Sequence, residues 1–332
     1  MVKNPAPAEA APGEFERIRR YFAPLAGPGG LGLTDDAALV DCRAEHRLVV
    51  TADAIVAGVH FLPDDPPDLV AKKLLRVNLS DLAAMGARPL YYLLTTALPP
   101  ALGADWVAAF ARGLGEDQRL YGVELLGGDS VSTPGPASLS LTAIGEVAAG
   151  AEIRRSGARP GDDLWVSGTI GDAHLGLGIL RGGYAQLAAE HRAALIRRFQ
   201  LPEPRVTLAP ALAGVAHAMI DVSDGLLADL GHICETSHVA AVVELGALPL
   251  SGAARAAVAL EPAGASRLAT GGDDYELLFT IAPEAADIVR GLSAGVGVAV
   301  TRIGRIEGGD GVRLTDLAGR DIAVERAGYR HF

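Results

Sequence analysis

The chain carries only two cysteines in 332 residues, Cys42 and Cys234, with no motif spacing between them. That excludes a disulfide-stapled secreted scaffold or a cysteine zinc site, and predicts two buried thiols in a reducing compartment. Long basic runs are missing too: 29 Lys and Arg stand against 40 Asp and Glu, a net charge of −11. Tracking a nucleic-acid backbone needs such a run, so that class is set aside. No apolar stretch reaches bilayer-spanning length. Residues 1–13, rich in Ala and Pro, lack the apolar core of a signal peptide. They read as a disordered tail, and the expected location is cytoplasmic. There is no Walker A lysine motif. Gly27-Pro28-Gly29-Gly30-Leu31-Gly32 spells G-x-G-x-x-G, but no strand leads into it and no helix leaves it, so it reads as a flexible loop. No Ser/His/Asp or Cys/His constellation is legible.

With 49% apolar and 21% charged residues, what remains is the composition of a globular protein whose length suits two domains. Apolar periodicity predicts an amphipathic helix over 14–23, a strand from Ala37, a strand over 47–53 and a helix over 67–85 halted by Pro89. A strand over 90–98, a helix over 104–121 and strands over 123–127 and 138–148 complete a first α/β unit. The turn-rich segment Arg154–Asp162 reads as a connector, which places the boundary near 150–160: an N-terminal domain over 14–150 and a C-terminal one over 151–332. The second half opens with a strand over 163–167. Helices are expected near 172–182, 187–199, 207–217, 225–236 and 283–292, with strands over 239–245, 275–281 and 299–306. Alternating helices and strands make the class α/β or α+β.

Six segments place aspartate beside Gly, Ser, Thr or Ala at element ends. They contain Asp35-Asp36, Asp53, Asp81, Asp129, Asp221 with Asp224, and Asp273-Asp274. Converging carboxylates repel and require a cation, and an oxygen-only donor set suits Mg²⁺ rather than zinc. Clustered Mg²⁺ holds polyphosphate during phosphoryl transfer. Each segment also has a plainer reading. Asp35-Asp36 is ordinary turn chemistry. Ser80-Asp81 could start a second helix, and Ser223 or Asp224 could be a helix N-cap. Gly127-Gly128 and Gly271-Gly272 suit close approach of a ligand to the backbone. His60 alone is a weak signal, and Arg155 and Arg159 fit either a phosphate clamp or a solvated turn.

Thr51–Phe61, Val77–Ala87, Asp221–Leu226, Gly271–Leu277 and Gly328–Phe332, in that order, resemble the thiamine-monophosphate kinase family of the aminoimidazole-ribotide-synthetase-like superfamily. The resemblance runs from about Gly13 to Phe332. It implies a two-domain fold, a homodimer joined through its N-terminal sheets, and Mg-ATP as phosphoryl donor to thiamine monophosphate by in-line attack. It also implies that Asp36, Thr51, Ala52 (through its carbonyl), Asp53, Asp81, Asp129, Asp221 and Asp224 are metal ligands. Asp36, Asp81 and Asp129 would serve catalysis through metal. Gly128, Asp129, Arg155 and Ser223 would contact ATP, and His60, Asp273 and Arg326 the thiamine phosphate. Two positions depart from the family pattern: Asp273 stands where glutamate is common, and Arg326 where an aromatic often packs. Sister synthetases of the superfamily and a non-catalytic nucleotide-binding protein are the rival readings.

Overall fold

The computed structural model describes residues 14–34, 37–324 and 328–329. Asp36 and Arg326 therefore lie outside the described residues. The chain divides into two compact units. One is formed by residues up to Asp41 with Ala52–Leu74 and Tyr91–Thr142, the other by Cys42–Thr51, Leu75–Leu90 and the chain from Ala143 onward.

The elements begin with a short helix α1 (Glu14–Arg17), continued as a π-turn to Phe22, and strand β1 (His46–Val56). Helix α2 (Pro67–Ala84), strand β2 (Arg88–Leu98), helix α3 (Ala104–Tyr121) and strands β3 (Glu124–Ser132) and β4 (Ser138–Ala148) follow. Their four strands form one sheet in the order β1-β4-β2-β3. β2 and β3 run parallel, and the α3 crossover between them is what a parallel pair requires. Gly122, left-handed at φ +65°, ends α3. Buried Tyr92 donates its hydroxyl to Gln118 Oε1 (2.9 Å), and Gln118 Nε2 donates to Leu25 O (2.8 Å).

The second sheet comprises β5 (Asp163–Ser167), β6 (Ala218–Asp221), β7 (Ala240–Glu244), β8 (Leu277–Ile281), β9 (Val300–Glu307) and β10 (Gly311–Thr315). Its order is β10-β7-β9-β5-β8-β6. The helices of this half are α4 (Asp172–Leu180), α5 (Ala189–Gln200), α6 (Leu226–Ser237), α7 (Gly252–Leu260) and α8 (Ala286–Val296). Side chains alternate across the strands. Leu164, Val166, Ile220 and Leu278 pack with Leu226, Leu230 and Ile233 of α6. Trp165, Met219, Phe279 and Ile281 pack with Val289 of α8. Both faces are covered, which is why these strands read as unbroken apolar runs.

Several expectations are corrected. Residues 37–45 form no strand. Instead of a helix over 207–217 there is a single 3₁₀ turn, Ala209–Leu212, with Pro210 at its start and Gly214 left-handed at φ +77° just beyond. The stop of α2 is Gly86 at φ +72°, and Pro89 falls inside β2. The Gly27–Gly32 segment is folded in 3₁₀ turns against β3, with the Gly27 N–H donating to Leu125 O (2.9 Å). Cys234 is buried as expected, its thiol pushed up to about 11 by burial and then by Glu235, but Cys42 is exposed. Among the described residues no helix is long and apolar enough to cross a membrane.

Candidate active site

Helix α2 presents two hydroxyl–carboxylate pairs from adjacent positions. Thr51 of β1 donates its hydroxyl to Asp81 Oδ2 (2.6 Å), and Ser80 donates to Asp221 Oδ2 (2.7 Å). Asp221, at the end of β6, is only 3% exposed and Ser80 is wholly buried, whereas Asp81 is half-buried. The helix is continuous through Ser80 and Asp81, so neither starts a second helix. Thr51, Asp81 and Asp221, three of the expected metal ligands, thus lie at one end of α2, with Ser80 as a partner that the motif contained but did not single out.

The 221–225 and 271–276 segments are zipped together beyond the ends of β6 and β8. Val222 N–H donates to Glu276 O, Tyr275 N–H to Val222 O and Asp273 N–H to Ser223 O, each at 2.8 Å. Asp273 and Tyr275 are held at φ +71° and +51°, a conformation that non-glycine residues adopt only under strong surrounding constraint. A Cβ on Gly225 would stand 2.6 Å from Thr270 O, and one on Gly272 would strike Ser223 O. These glycines admit the chain itself. The terminal motif joins here too: Tyr329 N–H donates to Asp224 O (2.9 Å), and a Cβ on Gly328 would lie 2.6 Å from the same oxygen.

Three carboxylates in this region escaped the sequence reading as anchors. Buried Asp229 of α6 accepts the N–H groups of Ser223 (3.0 Å), Asp224 (3.0 Å) and Gly225 (3.1 Å) on one oxygen, Oδ2. Burial, and then the Asp224 carboxylate, push its pKa up to about 7, against the pull of those three donors. Asp274 is buried and accepts the Gly171 N–H (2.8 Å) at the start of α4, so it parts company with Asp273; burial raises it well above the usual carboxylate range. Glu276 is fully buried and accepts from Ser167 Oγ (2.6 Å), Arg198 Nη2 (2.9 Å) and Arg205 Nε (2.6 Å).

Arg155 is exposed, and its carbonyl accepts from Ser237 Oγ (3.2 Å).

In the other unit, Ala52 and Asp53 are exposed on β1, and Asp53 O accepts from Ser140 Oγ (3.3 Å). His60 Nδ1 accepts the Val56 N–H (3.1 Å), which leaves Nε2 as the protonated nitrogen of the neutral ring. The His60 carbonyl accepts from Nζ of buried Lys73 (3.0 Å). Asp129 is exposed on β3, next to Gly128. These two, with Leu94, Leu126, Phe22 and Leu33, line a cavity of about 190 Å³. Pairing shifts between Tyr92↔Leu125 and Leu93↔Gly127, and the bulge brings Gly128, at φ +151°, against Leu94 O. Gly128→Ala is expected to destabilise the protein by about 1–3 kcal/mol, read as a lowered melting temperature. An unchanged melt would show that the strand tolerates a side chain there.

Among the described residues, no three Asp, Glu, His or Cys side chains come together as a ready-made metal site. The donors present are oxygens throughout. One or two carboxylates are what Mg²⁺ takes from a protein when substrate phosphates and water complete its shell.

Comparison with known proteins agrees with this chemistry. Residues 34–147 match the family model of the AIR synthase related protein, N-terminal domain, and 159–317 that of the C-terminal domain. A thiamine-monophosphate kinase of Caulobacter vibrioides is 46% identical over 98% of this chain and 93% of its own. The crystal structure of thiamine-monophosphate kinase from Stenotrophomonas maltophilia K279a is 44% identical, with a TM-score of 0.79, covering 85% of this chain and 89% of that one. AaThiL complexed with AMPPCP and TMP is 32% identical with a TM-score of 0.78, covering 90% and 91%. With both domain models matched in order and near-full-length likeness of this degree, the chain belongs to the thiamine-monophosphate kinase family.

Proposed function

We propose that the protein transfers the γ-phosphoryl group of ATP to thiamine monophosphate, giving ADP and thiamine diphosphate. The observation that carries the substrate pair is the AaThiL complex, which holds AMPPCP, an ATP analogue, together with TMP on the same fold. Mg²⁺ is the proposed metal, with Asp36, Thr51, the Ala52 carbonyl, Asp53, Asp81, Asp129, Asp221 and Asp224 as its oxygen ligands. When bound, it neutralises phosphate charge and polarises the transferring group. ATP is assigned to Gly128, Asp129, Arg155 and Ser223, and thiamine phosphate to His60, Asp273 and Arg326.

The attacking phosphate oxygen is already ionised near neutral pH, so the protein needs no strong base. Its task is to bring two polyanions together and align them. His60 suits an anion, because its Nδ1 is taken by Val56 N–H and Nε2 carries the donor proton. Asp273 offers a carboxylate to a cationic thiazolium, within 3.4 Å of the Tyr275 hydroxyl. The assignment of residues 14–150 to an ATP, metal and dimerisation domain and 151–332 to a second α/β domain rests on the junction between the two family matches. A homodimer and a cytoplasmic location belong to the same proposal.

Incubation with Mg-ATP and thiamine monophosphate, following ADP and thiamine diphosphate together, is expected to give equal amounts of both. ADP without thiamine diphosphate would point to a sister activity. No ADP from folded protein would leave a nucleotide-binding module.

A further inference from the structure

Helix α6 begins in an unusual way, and the consequence falls on the loop ahead of it. The first N–H groups of a helix need acceptors from outside the helix, and a Ser, Thr, Asp or Asn at the N-cap ordinarily supplies one. Here Ser223 and Asp224 stand just before the helix and are the residue types suited to that task. The N-cap is instead Gly225, at φ +125°, and no side chain caps from that position. An acceptor from within α6 holds the loop ahead of the helix: Oδ2 of Asp229 takes the three consecutive N–H groups of Ser223, Asp224 and Gly225. Among the described residues, the Ser223 hydroxyl and the Asp224 carboxylate engage in no hydrogen bond, and both are half-buried.

We propose that Asp229 is a positioning residue for nucleotide and metal, fixing the 223–225 backbone from behind so that the Ser223 and Asp224 side chains are presented to ligand. This rests on the ATP and Mg²⁺ reading given above. One oxygen holding three successive amides leaves that loop little freedom. The Ser223 carbonyl accepts from Asp273 N–H and the Asp224 carbonyl from Tyr329 N–H, so the far side of the backbone is tied as well. Placement of ligand-bearing groups at this precision matters, since displacement of about 1 Å can cost about a hundredfold in reaction rate. Asp229 itself touches neither substrate nor metal in this scheme.

The test is calorimetric binding of Mg-AMPPCP to the full chain, paired with thermal melting, for Asp229→Asn, Asp229→Ala and Asp229→Glu. Asparagine keeps an oxygen at the same reach, so its affinity is expected to stay within about threefold of wild type. Alanine removes the acceptor and is expected to weaken binding by about tenfold or more. Glutamate keeps charge and acceptor but shifts them by a methylene. It is expected to weaken binding about fivefold with a near-normal melt, and it decides the matter if the alanine variant does not fold. Ser251→Ala serves as the structural control. It removes the Ser251 oxygen that accepts from Ala254 N–H at the start of α7, and should lower the melt while leaving Mg-AMPPCP affinity unchanged. Wild-type affinity in folded alanine or glutamate variants would overturn the positioning role alone. A wild-type protein that binds no Mg-AMPPCP would overturn that role and the nucleotide reading together.

Discussion

Asp81→Ala is expected to lower kcat by about 10³-fold or more, equivalent to roughly 4 kcal/mol of transition-state stabilisation, while the melting temperature moves by only a few degrees. The two effects separate because of where Asp81 sits. It is half-buried near the end of α2, where it accepts from the Thr51 hydroxyl (2.6 Å). A hydrogen bond of this kind is worth about 1 kcal/mol, and alanine recovers part of that through higher helix propensity. Neighbouring Leu79, Leu82 and Ala83 keep the helix seated, each at most 1% exposed. Phosphoryl transfer has no comparable reserve, since screening of two polyanions depends on each carboxylate that holds metal. Steady-state rates with circular dichroism check both halves. Near-wild-type turnover would remove Asp81 from the catalytic set.

Glu276→Gln is expected to have the opposite profile, a loss of about 3–5 kcal/mol in stability, seen as a fall of roughly 10 °C in melting temperature. Glu276 is completely buried and binds the guanidinium groups of Arg198 and Arg205, whose side chains are each 15% exposed. Removing its charge leaves the two largely buried cations with only the exposed Glu203 carboxylate, at 3.3 and 3.4 Å, while the Ser167 hydroxyl (2.6 Å) loses its charged acceptor. Arg205 is held above its ordinary range: burial works against its charge, but the Glu276 contact outweighs that. The same change reaches the site, because the Glu276 carbonyl accepts from Val222 N–H, the first rung between the two aspartate loops. A melt within two or three degrees of wild type would contradict this, and would mean that water or rearrangement compensates the arginines.

Much of the fold was legible because strong periodicity leaves little choice. α2, β2, α3, β4 and β5 fall within a residue or two of the expected ranges. Errors gathered where a local pattern competes with context. The apolar residues of 207–217 look helical, but Pro210 and Gly214 allow only one turn. α7 was missed although Ser251 caps it, since its nine residues are mostly alanine and carry only Val258 and Leu260 as large apolar markers of a face. β10 was missed because five residues after a glycine turn become a strand only by pairing parallel to β7.

At the site, the sequence pointed to Asp81, Asp221 and Asp273 through their glycine, serine and alanine neighbours. Their supports were not readable. Asp229 looks like an ordinary polar residue inside a helix, and Asp274 like the twin of Asp273, because both roles depend on amides brought in from elsewhere in the fold. The glycines also had a second meaning that spacing does not reveal: Gly128, Gly225 and Gly272 are required where one stretch of backbone meets another.

The protein's acidic side chains are taken to act by alignment and charge, with none attacking phosphorus. The stereochemical course at the transferred phosphorus, followed with γ-phosphorothioate ATP made chiral by oxygen isotopes, tests this most directly. A single in-line displacement predicts inversion of configuration in the thiamine diphosphate formed. Retention would show two displacements and a phosphorylated enzyme, and would contradict it.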